Sequence, residues 1–216
     1  RSRGDRVISN VINKSNPSSL ATAEGIGIYV AEIPWLETEV YDNVVSGYAS
    51  GVTIDCLLTA DYTINDLSFV DFGPSVKRNN ISYCDKAVNL SSSATARRIG
   101  AFVSNNKLSF CNDGVRLGAY ANNCTFKDNI YYKCENGIYI DKDNIGNIIE
   151  QEQFIGCTSR AIRGSTSSND QVLDTATFGT LANAGFSIKD NYYIDSPAPA
   201  SMSTNLTGLT TTDFTN

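Results

Sequence analysis

The chain has 216 residues and a mass of 23.4 kDa, with 17 Lys+Arg against 23 Asp+Glu, a net charge of −6 and a pI near 4.6. That charge balance argues against nucleic acid or an anionic membrane surface as the main partner, because both require basic patches. There is no His, which excludes Ser-His-Asp hydrolysis, Cys-His proteolysis and His-ligated zinc.

The chain starts at Arg1 without Met and carries no signal-peptide pattern. It reads as a processed product or a piece of a longer chain. Residues 1–38 read as one or two weak coils with a loop. Gly25-Ile-Gly-Ile28 closes an early turn, and Pro17 to Ala23 and Ile33 to Thr38 read as loops. The longest apolar runs fall far short of the roughly 18 residues needed to cross a bilayer, so no membrane insertion is expected.

Residues 39–163 form the core of the pattern. Cys84, Cys111, Cys134 and Cys157 each close a similar phrase, such as Lys107-Leu-Ser-Phe-Cys111-Asn-Asp-Gly-Val-Arg-Leu117 and Asn129-Ile-Tyr-Tyr-Lys-Cys134-Glu-Asn-Gly-Ile-Tyr-Ile140. Tyr48 takes the Cys place in an earlier copy. A repeat of this length signals a solenoid. Ile81/Tyr83, Leu108/Phe110 and Ile130/Tyr132 alternate inward on one expected strand. Val88/Leu90, Val115/Leu117 and Ile138/Ile140 do so on a second, just after the small residues Ala87, Gly114 and Gly137. Val103, Phe126 and Ile149 mark a third. Period-2 alternation is a strand signal.

The expected architecture is therefore all-β: a right-handed parallel β-helix with coils of about 23 residues and three short strands per coil, stacked about 4.8 Å apart. Like residues then form ladders, with Cys on Cys and Asn80, Asn106 and Asn129 at one turn. Reduced, stacked thiols are the main reading of the Cys row, with disulfides as the alternative. Ser91 to Arg98 reads as an inserted loop. Residues 164–216 read as an irregular C-terminal coil, resuming at Phe186-Ser-Ile188 and Tyr192-Tyr-Ile194, followed by a Thr/Ser-rich tail from Ser201.

Coils of the form Asn129-Ile-x-x-x-Cys-x-x-Gly-Ile-x-Ile140 resemble the right-handed β-helices of the pectate-lyase-like superfamily. Within it they look most like bacteriophage tailspikes and capsular depolymerases. The resemblance implies a homotrimer in an extracellular virion tail, with a secreted or cell-surface protein as the alternative. It also implies binding, and in many members hydrolysis, of bacterial surface polysaccharide such as capsule or O-antigen. A non-catalytic structural or adhesive β-helix of a tail fibre or adhesin is the alternative function. No cofactor and no metal is expected.

Outward columns supply the candidate sites. Asn89, Arg116, Tyr139 and Arg163 fall side by side on one face, offering an aromatic plate and forked donors to sugar hydroxyls or carboxylates. Ser82, Ser109, Tyr131 and Ile155 form a second outward column. Arg116, Tyr131, Tyr139, Arg160 and Arg163 are the candidate substrate-binding residues. Glu150 and Glu152, two apart in a strand-like run, are expected to share a face about 6.5–7 Å apart. That separation suits an inverting carboxylate pair, so they are the candidate catalytic residues. Lys127, one coil earlier, offers Glu150 a plain ion pair instead. Asp85, Asp113 and Glu135 are expected to stack near the Cys turn, and Asp141 and Asp143 to lie in a turn.

Overall fold

Short apolar alternations bounded by turn residues give strands of three to seven residues, none with a surface broad enough to be stable alone. The computed structural model describes residues 5–14, 23–32, 38–56, 73–92, 100–119, 121–141, 144, 146–164 and 187–196. The expected loops at 17–23, 33–38 and 91–98, the tail from 201, Asp143 and Phe186 lie wholly or largely outside those residues. Among the described residues, twenty strands stack into three parallel sheets. Sheet A holds β1 (Arg6–Ile8), β4 (Glu39–Tyr41), β7 (Ser75–Lys77), β10 (Phe102–Ser104), β13 (Thr125–Lys127), β16 (Ile148–Glu150) and β19 (Ser187–Lys189). Sheet B holds β2 (Val11–Asn13), β5 (Val44–Ser46), β8 (Asn80–Ser82), β11 (Lys107–Ser109), β14 (Ile130–Tyr132), β17 (Gln153–Ile155) and β20 (Tyr192–Ile194). Sheet C holds β3 (Ile26–Glu32), β6 (Ser50–Cys56), β9 (Lys86–Ser92), β12 (Asp113–Leu117), β15 (Asn136–Ile140) and β18 (Arg160–Gly164).

The chain visits the sheets in the order A, B, C and repeats, and every strand pairs with its equivalent one coil away. This is a right-handed parallel β-helix. Each coil sends one residue inward from sheet A and one from sheet B, such as Val103 and Leu108, and sheet C adds Val115 and Leu117. All four are fully buried, and their counterparts stack above and below them. The core is thus a set of apolar columns running the length of the helix.

Two turns do the bending. After each sheet A strand comes a residue in the left-handed region: Ser9, Asp42, Arg78, Asn105, Asp128, Gln151 and Asp190, with φ between 54° and 58°. Asp and Asn tolerate that conformation best among residues with a side chain. The next residue then points inward, forming a buried column of Asn43, Asn79, Asn106, Asn129, Glu152 and Asn191. Each amide oxygen accepts from the coil before it: Asn43 N to Asn79 Oδ1 is 2.9 Å, Asn79 N to Asn106 Oδ1 2.9 Å, and Asn106 N to Asn129 Oδ1 3.0 Å. Asn80, expected in this ladder, is displaced from it by one place. It opens β8 on the exposed side, and Asn79 fills the ladder.

After each sheet B strand from β5 onward comes a second left-handed residue: Gly47, Tyr83, Phe110, Lys133, Gly156 and Asp195. The following position is the thiol row. Cys84, Cys111, Cys134 and Cys157 are buried and free, as is Cys124 before β13. Ser196 continues the row, its hydroxyl accepting from Cys157 N at 2.9 Å. Burial pushes the Cys111 thiol well above its ordinary value and Cys157 to about 12. These thiols behave as small apolar packing units.

Candidate functional site

The outer face of sheet C carries the densest polar structure. Its register aligns Tyr29 with Thr53, Thr53 with Asn89, Asn89 with Arg116, Arg116 with Tyr139, and Tyr139 with Arg163. The expected column Asn89, Arg116, Tyr139, Arg163 is therefore present and runs two coils further, to Tyr29. Six strands at about 4.8 Å per step make a strip about 24 Å long.

At its centre the Arg116 guanidinium lies 3.6 Å from the Tyr139 ring centroid, with the Arg163 guanidinium 5.4 Å away. Tyr139 is consequently buried, and its face is covered by arginine. Arg116 Nε and Nη2 donate to Asp141 Oδ2 at 3.2 and 3.0 Å, and Nη1 donates to Asp113 Oδ2 at 3.2 Å. Asp113 also accepts from Asn136 Nδ2 at 3.0 Å. Burial holds the Asp113 carboxyl above its usual range despite these partners. Asp113 and Asp141 are the two carboxylates that the fold brings together on this face, and sequence reasoning had separated them. Asp113 lies beside Lys86 and Asn136 rather than in a row with Asp85 and Glu135. The Asp85 carboxylate instead accepts from Asn112 Nδ2 at 2.8 Å. The missed signal is the spacing of Asp113 and Arg116 within one strand.

Toward the N-terminal coils the strip opens. Tyr29 is 51% exposed, and its hydroxyl donates to Asp55 Oδ2 at 3.0 Å while Ser91 Oγ donates to Asp55 Oδ1 at 3.0 Å. Tyr29 is a site residue that sequence reasoning missed, because β3 belongs to a weak copy of the repeat.

Arg160 begins β18, and its Nη1 donates to the Ser159 carbonyl at 2.8 Å. It shares the sheet but stands outside the column. Tyr131 differs from expectation altogether. It is fully buried and stacks on Phe154 at 4.7 Å inside the helix. The outward partner of Ser109 and Ile155 is Tyr132. Tyr131, like Leu108, lies three residues before its Cys, so the core column passes through it and not through Ile130 or Tyr132.

Glu150 and Glu152 do not share a face. Gln151 between them is left-handed, which breaks the alternation on which the expected pairing rested. Glu150 stays outside, between Lys127 Nζ and Lys189 Nζ at 3.4 Å each. Glu152 is fully buried and takes an Asn place in the ladder. Two carboxylates on opposite sides of the wall cannot flank one glycosidic bond.

No protein-family model, no curated protein and no solved structure matches the chain. The fold gives a β-helix scaffold, an architecture that in many families binds or acts on polysaccharide, and the residues above must carry any finer reading.

Proposed function

We propose that this β-helix is a tailspike-type binding segment that holds bacterial surface polysaccharide, capsule or O-antigen, along the outer face of sheet C. The observation that carries it is the in-register strip from Tyr29 to Arg163. Tyr29 offers an open ring for the apolar face of a sugar. Asn89, Arg116 and Asp141 offer paired donors and acceptors at one-coil intervals, and the sheet holds them without a loop that must order on binding. Binding without cleavage is the better-supported form, because Glu150 serves two lysines and Glu152 is inside.

Binding to purified capsule or O-antigen by calorimetry, with a reducing-end assay alongside, tests this. Tyr29→Ala and Arg163→Ala should each weaken binding about tenfold or more, a loss of about 1.4 kcal/mol, with the circular dichroism spectrum unchanged. Glu150→Gln should leave binding as it is. Unaltered affinity in both strip variants would move the site off sheet C. Release of reducing ends by the wild type would make the protein a polysaccharide-cleaving enzyme instead.

The same reading includes a homotrimer. The outer face of sheet B carries Ile130, Tyr132, Gln153, Ile155, Tyr192 and Ile194 over its last three strands, without a charge among them. Tyr192 and Ile194 are 60% and 50% exposed.

A further inference from the structure

The buried column after sheet A is an amide ladder with one exception. In it each Asn amide nitrogen donates toward a main-chain carbonyl of the preceding coil: Asn43 Nδ2 to Val7 O at 2.9 Å, Asn79 Nδ2 to Val40 O at 3.0 Å, Asn106 Nδ2 to Val76 O at 2.9 Å, Asn129 Nδ2 to Val103 O at 2.9 Å and Asn191 Nδ2 to Ile149 O at 3.3 Å. Each amide oxygen accepts from the coil before. Glu152 performs the acceptor half of this duty, taking a hydrogen bond from Asn129 Nδ2 at 3.0 Å on Oε1, and its own N–H donates to Asn191 Oδ1 at 2.9 Å. The donor half falls to Oε2, which is buried and has no hydrogen-bond partner. An ionised carboxylate has no donor to offer, and an unpaired buried charge is among the costliest groups a fold can hold.

We propose that Glu152 stands in the ladder as the uncharged acid, its Oε2–H replacing the asparagine amide donor, so that the turn between β16 and β17 is a proton-dependent joint of the solenoid. Loss of the proton places a charge inside the wall and leaves the ladder with acceptors only. The joint then loosens at this coil first, since coils in a solenoid are held chiefly by their neighbours.

The groups around it support this. The phenol of Tyr131 from β14 lies within interaction range of the carboxyl and, with Asn129, favours its charged form, but burial outweighs both. The positive groups of that region, Lys127 and Lys189, are engaged outside by Glu150. Asp128, on the adjoining turn, adds repulsion. Burial sets the Glu152 carboxyl well above its ordinary range. Burial likewise pushes Tyr131 and Cys157 above their own usual values.

The sign follows from linkage. The folded state binds the proton more tightly than the unfolded chain does. The stabilisation is therefore complete below the ordinary Glu pKa and is lost as pH rises through the folded value. Thermal unfolding of the wild type, Glu152→Asn and Glu152→Gln between pH 4.5 and pH 9 tests this. Wild-type Tm should fall relative to Glu152→Asn across that range by at least about 4 °C, more than 1 kcal/mol for a domain of this size. Glu152→Asn restores the amide pattern and should give the flatter profile. Glu152→Gln, also uncharged, should follow Glu152→Asn. If Glu152→Gln fails to fold, carbon-13 NMR of the wild-type glutamate carboxyls at pH 7 decides the matter alone. One protonated Glu signal is expected there. Parallel Tm profiles for the wild type and Glu152→Asn, or only ionised Glu signals at pH 7, would overturn the proposal.

Discussion

A methyl group added to Gly114 would sit 2.5 Å from Tyr131 Cδ1 and 2.6 Å from the Gly137 carbonyl oxygen. The same addition at Gly137 would run into the Phe154 ring. Tyr131, Phe154 and Tyr193 stack through the interior at 4.7 and 5.3 Å, and the first two rings leave no volume for a side chain at Gly114 and Gly137. The small residue before each inward pair on sheet C is therefore a matter of space. Gly51 is equally confined, since an added methyl would sit 2.5 Å from Ile81 Cγ2, whereas Ala87 and Ala161 hold the same place, buried, in their own coils. Gly114→Ala should cost about 1–3 kcal/mol, the usual cost of overpacking a core that is already filled, read as a lower urea midpoint with an unchanged slope. A loss below about 0.5 kcal/mol would mean that the Tyr131 ring shifts freely, contrary to its tight stack.

At the scale of the strand and turn, the asparagine ladder separates residues that look alike in sequence. Asn106→Ala removes an amide that donates to Val76 O and accepts, through Oδ1, from Asn79 N and Nδ2. It leaves buried groups unpaired, and a loss of about 1–3 kcal/mol per orphaned group is expected. Asn80→Ala, on the exposed side of β8, should stay within about 0.5 kcal/mol of the wild type. Denaturant unfolding of the pair would show the contrast, and equal losses would contradict the register. The strands themselves were legible, because Val88, Val115 and Ile138 follow small residues at a constant place in each phrase. The turns were not. A left-handed residue reverses the in-and-out rhythm without changing composition, so strict alternation picks Asn80 over Asn79, puts Tyr131 outside, and sets Glu150 and Glu152 on one face. A slip of one residue is enough to carry a side chain through the wall. Tyr29 and Asp113 became visible as site residues only when the sheet C register aligned distant copies.

For the whole molecule, the three faces differ in what they leave to solvent. Sheet A presents ion pairs, with Arg6 Nε 2.8 Å from Glu39 Oε2 and Glu150 between two lysines. Sheet C presents the polar strip. Sheet B ends in Ile130, Tyr132, Ile155, Tyr192 and Ile194, with the uncharged Gln153 between Ile130 and Tyr192, an apolar surface that single exposed residues do not explain. A net charge of −6 opposes close approach of copies in general, but no carboxylate lies among these five, so the repulsion is weakest on this face. The proposed threefold arrangement would turn one such face per chain toward a common axis and leave every sheet C strip outside, free to meet a long polysaccharide at three places. Light scattering at micromolar concentration should then give three chains per particle. Ile155→Glu combined with Tyr192→Glu should dissociate them, since three or more like charges would be buried around one axis. The sheet C strip would remain intact in each separated chain. Binding to immobilised polysaccharide should therefore weaken through loss of multivalency, by about a hundredfold or more, while the affinity of one chain for a short oligosaccharide stays the same. A wild type that scatters as a monomer would remove the trimer and leave the strip to act alone.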